Sequence, residues 1–146
     1  MILNRQRAIR VSRRPLELFL RRLQQHLGIG EEDMTICLVS DAEIARMNET
    51  YRNKIGPTDV LSFPSVRSHK AIRLLRTHPA GKYLGDVAIS PATARRNSRK
   101  YGRPLSWELR ILMLHGTLHL LGYDHETDRG EMNRIEQRLR RRLGLA

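Results

Sequence analysis

The chain has 146 residues, 40% of them hydrophobic, and carries 27 basic against 15 acidic side chains for a formal charge of +12. That length suits one domain able to bury about 68–70% of the surface its unfolded chain exposes; the apolar content argues against wholesale disorder, and no run reaches the roughly 18 apolar residues of a membrane span. Of the basic residues 23 are arginine, whose planar fork pairs bidentately with phosphate, so a polyanionic partner is expected, with an arginine-favouring genome as the plain alternative.

The opening Met1-Ile2-Leu3-Asn4-Arg5 lacks the apolar core and cleavage site of a signal peptide, which predicts a cytoplasmic protein without a membrane partner. An edge strand is expected at residues 2–10. Pro15 then opens an amphipathic helix with Leu16, Phe19, Leu20, Leu23 and Leu27 on one face and Gly28 as its stop. Thr35 to Val39 is β-branched and apolar, the pattern of a strand covered on both faces, and Cys37 within it reads as a small buried hydrophobe. Ser40-x-x-Glu43 predicts a capping box for a helix carrying Ile44 and Met47.

Asp59 to Phe63 reads as a short strand stopped by Pro64, and Tyr83 to Ile89 as another. Residues 65–82 between them form a long basic loop with Arg67, His69, Lys70, Arg73, Arg76, His78 and Lys82, with room for a hairpin around Ile72 to Leu75. Ser90-Pro91 opens a helix that runs to Tyr101, ends at Gly102 and carries Arg95, Arg96, Arg99 and Lys100 on its polar face. Pro104 opens a fourth helix whose stripe includes Leu105, Leu109, Leu112, Gly116 and Leu120, stopped by Gly122. The last helix begins near Asp128-x-x-Glu131 and places Met132, Ile135, Leu139 and Leu143 on one side. Arg138, Arg140, Arg141 and Arg142 at its end read equally as a dipole-matched solvated terminus or as an RNA contact. With no repeat or linker, residues 1–146 form one domain.

The chemistry concentrates in His115-Gly116-Thr117-Leu118-His119-Leu120-Leu121-Gly122-Tyr123-Asp124-His125, which holds three of the six histidines. Helix positions i and i+4 are neighbours about 5–6 Å apart at Cβ, so His115 and His119 can aim both imidazoles at one ion. A left-handed turn at Gly122 would let the chain double back and bring in His125. Three histidines with the fourth position open are the ligand set of a catalytic zinc rather than a structural one. Zinc proteases of the metzincin type share this spacing but place Glu directly after the first histidine as general base; here that position is Gly116, which leaves peptide hydrolysis without its proton acceptor. Asp124 reads as a base, a ligand-orienting group or a turn cap.

The block from His115 to His125 resembles the signature of the YbeY family, bacterial metal-dependent endoribonucleases of ribosomal RNA maturation. Two further stretches agree: Asn48-x-x-Tyr51-Arg52 leading into Pro57-Thr58-Asp59-Val60-Leu61-Ser62-Phe63-Pro64, and Leu84-Gly85-Asp86-Val87-Ala88-Ile89-Ser90. The resemblance implies an α+β domain with a small mixed four-stranded sheet, about five flanking helices and a metzincin-like metal helix. It implies one zinc per chain on His115, His119 and His125, with Arg52 and His115 in the catalytic machinery. It further implies single-strand-specific cleavage in maturation of the small-subunit ribosomal RNA 3′ end and in ribosome quality control, with ribosomal RNA and the ribosome or its proteins as partners and no DNA.

The residues make those roles chemically sensible. A guanidinium at Arg52 would clamp the scissile phosphate and offset transition-state charge, unless it is only a surface arginine at a helix end. Zinc would act as a Lewis acid on a phosphate oxygen or lower the pKa of its bound water toward about 7. Thr58 and Asp59 read as fixing the turn before a strand. Asp86 reads as a backbone acceptor or a group orienting an imidazole, and Trp107 as core rather than a stacking platform. Two rival functions stand beside the nuclease: a non-catalytic RNA-binding ribosome-assembly factor with a structural metal, and a zinc metalloprotease.

Overall fold

Along Met34–Leu38 the side chains of Met34, Ile36 and Leu38 are buried while Thr35 and Cys37 are half-buried, the alternation of a strand with one face fully covered. In the computed structural model, which describes residues 1–65 and 83–145, this strand (β2) sits inside a four-stranded sheet. Its neighbours are β1 (Ile2–Asn4), β3 (Val60–Pro64) and β4 (Gly85–Ile89), in the order β1-β2-β4-β3. The first three in that order run parallel, and β3 lies antiparallel on the edge with Ser62 opposite Val87. The sheet is therefore mixed, as the family resemblance implies.

Among the described residues five helices surround it: α1 (Arg13–Leu27), α2 (Asp41–Arg52), α3 (Pro91–Tyr101), α4 (Leu105–Leu120) and α5 (Glu131–Arg142). Helix α4 is the centre of the main core. Its Leu109, Met113, Leu114 and Leu118 pack with Ile36, Val87 and Ile89 of the sheet, with Leu20 and Leu23 of α1 and with Met132 and Leu139 of α5. An α-helix apolar on almost every side belongs in such an interior position. The opposite sheet face carries a smaller cluster of Val39, Ile44, Leu61 and Ala88, covered by α2. None of the helices among the described residues is long and apolar enough to cross a membrane.

Most predicted elements stand, with shifted ends. The strand expected at residues 2–10 stops at Asn4, because Gln6 folds the chain over: its amide bonds both the N–H and the carbonyl of Ile9. Helix α1 begins two residues ahead of Pro15, which sits in the first turn where backbone N–H groups have no helical acceptor. The strand at β2 is not sealed on both faces, and Cys37 is half-buried, with burial pushing its thiol pKa up. Only half of the capping box forms: Ser40 Oγ accepts from the Glu43 N–H at 3.1 Å, while the Glu43 carboxylate turns to Arg5. Pro64 is the last residue of β3 rather than the one beyond it, and β4 starts at Gly85. Helix α5 starts at Glu131, with Asp128 accepting from the N–H groups of Gly130 and Met132. The basic loop expected at residues 65–82 falls, Ser65 apart, outside the described residues, and so does the hairpin expected around Ile72 to Leu75.

Candidate metal centre and its cleft

Helix α4 ends in a hydrogen-bonded turn that decides the geometry of the site. The N–H of Gly122 bonds to the His119 carbonyl at 3.0 Å and that of Tyr123 to the Leu118 carbonyl at 3.1 Å, with Gly122 at φ 92°, the pattern of a Schellman stop. A side chain at Gly122 would strain that left-handed backbone. Tyr123 packs against the main core and anchors the returning chain, so that His125 comes back over the end of its own helix.

The three imidazoles meet there. His115 and His119 project from adjacent turns of α4 with their Nε2 atoms 3.1 Å apart, and the His125 ring centroid lies 5.8 and 5.9 Å from theirs. One nitrogen from each ring falls within 4.8 Å of the other two. Two nitrogens bound to one tetrahedral zinc at about 2.0–2.1 Å lie roughly 3.3 Å apart, so the His115 and His119 spacing fits a shared cation. Among the described residues no fourth His, Cys, Asp or Glu joins the group. The donor set also fits: burial, then the neighbouring His115, lowers the pKa of His119, which favours the neutral imidazole a metal requires.

Two of the rings are held from behind. His119 makes a hydrogen bond with the Tyr123 backbone. His115 Nδ1 donates to Glu136 Oε1 of α5 at 2.9 Å, and Arg140 Nη2 sits 3.2 Å from the other carboxylate oxygen. Burial raises the Glu136 pKa, but the bond from His115 and the charge of Arg140 outweigh it, and the net shift is downward. Glu136 is a residue the sequence analysis missed. Its signal was a carboxylate at position 136 inside the buried row formed by Met132, Leu139 and Leu143. Arg140, grouped above with the solvated arginines of the helix end, is half-buried against this carboxylate; Arg138, Arg141 and Arg142 are exposed.

The imidazoles form one wall of a cleft of about 880 Å³ whose lining also includes Arg52, Thr58, Asp59 and the β3 residues Val60 to Ser62. Arg52 is the last residue of α2 and is exposed. The loop beyond it is held by Asn48, whose buried amide donates to the Gly56 carbonyl at 3.0 Å. Asp59 fixes the turn, as expected, by accepting from Asn97 and Thr58 and through its carbonyl from the Ser90 N–H. Asp124 also serves its turn: its carboxylate accepts from the Glu126 N–H at 3.0 Å.

Asp86 orients none of the imidazoles. Neighbouring Val87 points toward α4, so the pleat sends Asp86 to the other sheet face, where it accepts from the Tyr83 hydroxyl. The carboxylate that does contact one of the histidine rings is Glu136. Trp107 is half-buried against the main core, as expected. Position 116 has no room for a side chain: a Cβ there would lie 2.5 Å from Val87 Cγ1, and Ser62 Oγ donates to the Gly116 carbonyl at 2.8 Å. The glutamate of the metzincin pattern is therefore excluded sterically as well as by sequence.

Fold and site together define a class: a small α+β protein whose buried central helix and the glycine turn after it gather three histidines on an open cleft. A family model described as Endoribonuclease YbeY matches residues 1–144, and the chain belongs to that family. Proteins named Endoribonuclease YbeY are 46% identical over 140 residues in Solibacter usitatus, covering 95% of this chain and 85% of the relative. In Koribacter versatilis the identity is 39% over 145 residues, covering 99% and 86%. The solution structure of a Thermotoga maritima protein matches with a TM-score of 0.63 at 27% identity, covering 98% of this chain and 89% of that one.

Proposed function

We propose that this chain is a zinc-dependent endoribonuclease that cuts single-stranded RNA in maturation of the small-subunit ribosomal RNA 3′ end, with residues 1–146 acting as one hydrolase unit. The observation that carries the reading is the convergence of His115, His119 and His125 on a cleft that Arg52 also lines. Relatives named endoribonuclease, aligned over nearly the whole chain, support the reaction class.

The three imidazoles would hold the cation, whose chemistry there is that of a Lewis acid toward a phosphodiester oxygen. Arg52 binds and orients: its planar fork takes two oxygens of the scissile phosphate and offsets the charge that grows on them in the transition state. The +12 surface supplies sequence-independent attraction for the RNA backbone, while cleavage-site choice comes from RNA shape and from contacts with the ribosome. A cytoplasmic location and an association with the ribosome or its proteins follow from the same reading. The protease reading loses its base at Gly116, where the packing admits none.

The test pairs metal analysis of the purified protein with cleavage of a single-stranded RNA before and after chelation. About one zinc per chain and cleavage that stops on chelation and returns with zinc are expected. A folded, metal-loaded protein that binds RNA but never cuts it would establish the assembly-factor reading instead. Casein hydrolysis with RNA left intact would establish the protease.

A further inference from the structure

Helix α5 supplies no residue to the cleft lining among the described residues, yet it sends one carboxylate to the back of the site. Glu136 is 12% exposed and stands in a row whose other members, Met132, Leu139 and Leu143, are apolar and buried. Desolvating a carboxylate there costs free energy that packing alone would not ask for, since leucine or methionine would fill the row. Both oxygens are used: Oε1 accepts from His115 Nδ1 at 2.9 Å and Oε2 pairs with Arg140 at 3.2 Å.

A carboxylate can only accept, so the proton of His115 must sit on Nδ1. That leaves the Nε2 lone pair facing His119 Nε2, 3.1 Å away. With the other tautomer a hydrogen would fill the space where a cation belongs. We infer that Glu136 is a positioning residue of the metal centre: it selects the ligating tautomer of His115 and fixes its ring, while Arg140 holds the carboxylate in place. This rests on the reading of the three imidazoles as metal ligands and adds to it that the C-terminal helix is a working part of the site. Metal binding and the docking of α5 are then linked, each strengthening the other.

The experiment measures zinc affinity of the full-length chain by competition with a chromogenic chelator, together with the visible absorption of the cobalt-substituted protein and melting of the metal-free form. Glu136→Met keeps the volume and the apolar row but removes the acceptor; Glu136→Gln keeps an acceptor oxygen without the charge. A loss of about 10–100-fold in zinc affinity and an altered cobalt spectrum are expected for the methionine variant, and a loss of a few fold for the glutamine variant. A merely structural role would leave the affinity of a folded Glu136→Met protein unchanged. Wild-type zinc affinity in Glu136→Met overturns the inference, and should that variant fail to fold, wild-type affinity in Glu136→Gln overturns it. A wild-type chain that takes up no zinc overturns both this inference and the metal reading. A chain that binds zinc in this graded way but cuts no RNA retains Glu136's role and loses the nuclease.

Discussion

Ser62 on the edge strand β3 donates its hydroxyl hydrogen to the carbonyl of Gly116 at 2.8 Å, joining the cleft's strand wall to the helix that carries the histidines. The bond is possible because Gly116 lets α4 settle directly on the sheet, with Val87 Cγ1 2.5 Å from where a Cβ would be. Gly116→Ala is therefore expected to destabilise the protein by about 1–3 kcal/mol through overpacking, read as a lower denaturation midpoint. Val87 is the obstacle, so adding Val87→Ala should recover part of that loss relative to Val87→Ala alone. A Gly116→Ala protein as stable as wild type would show that the helix is not seated as described.

Arg52 stands at the end of α2 on the cleft and away from the core, which separates function from folding. Arg52→Ala should keep the wild-type melting temperature and zinc content while RNA cleavage falls by about 10²–10³-fold, the usual cost of removing one transition-state donor. Arg52→Lys retains the charge but not the fork and should fall between the two. Undiminished cleavage by Arg52→Ala removes this residue from the catalytic machinery.

Helices α2 and α3 are tied together at their N-termini by Asp41, whose carboxylate accepts from Ser90 Oγ at 2.6 Å and Thr93 Oγ1 at 2.7 Å and pairs with Arg96 at 3.0 Å. Burial pushes its pKa up, but these three partners prevail and hold it below the ordinary 3.8. A carboxylate with a depressed folded pKa stabilises fully above its unfolded value and loses that contribution as pH falls through the folded one. Asp41→Asn is thus expected to lower stability at neutral pH by roughly 1 kcal/mol, discounted for partial exposure. The gap between the two proteins should close below pH 3.8, as melting curves across acid pH will show. A gap that persists at the lowest pH assigns the effect to packing rather than charge.

The excess of arginine predicts steep salt dependence. Affinity for single-stranded RNA, measured by fluorescence anisotropy with metal removed to prevent cutting, should fall at least tenfold between about 50 and 200 mM salt as neutralised phosphates recapture counterions. An affinity flat over that range would mean that the basic surface does not meet the RNA backbone.

Periodicity and punctuation made most of the fold legible. Apolar residues at helical spacing, opened by Ser or Pro and closed by Gly28, Gly102 and Gly122, mark helices because caps and left-handed stops are local chemistry. The histidine spacing is local too: one helical turn and one glycine stop suffice to bring His115, His119 and His125 within 4.8 Å. Strand ends were less legible, since β1 stops where the Gln6 side chain folds the chain onto Ile9 and β4 starts at Gly85 with φ 140°, backbone shapes that composition does not display.

The sequence by itself determined the helices, the presence of a strand at β2 and the three converging imidazoles, because each depends on residues within a turn or two of one another. Only the tertiary structure decided which carboxylate stands behind His115, which sheet face Asp86 occupies and why residue 116 carries no side chain. Those answers depend on the docking of α5 and of β3 and β4 against α4, over separations of 21 residues between His115 and Glu136 and 54 between Ser62 and Gly116. Contacts that far apart in the chain are chosen by the burial of apolar surface as a whole, and no local pattern encodes them.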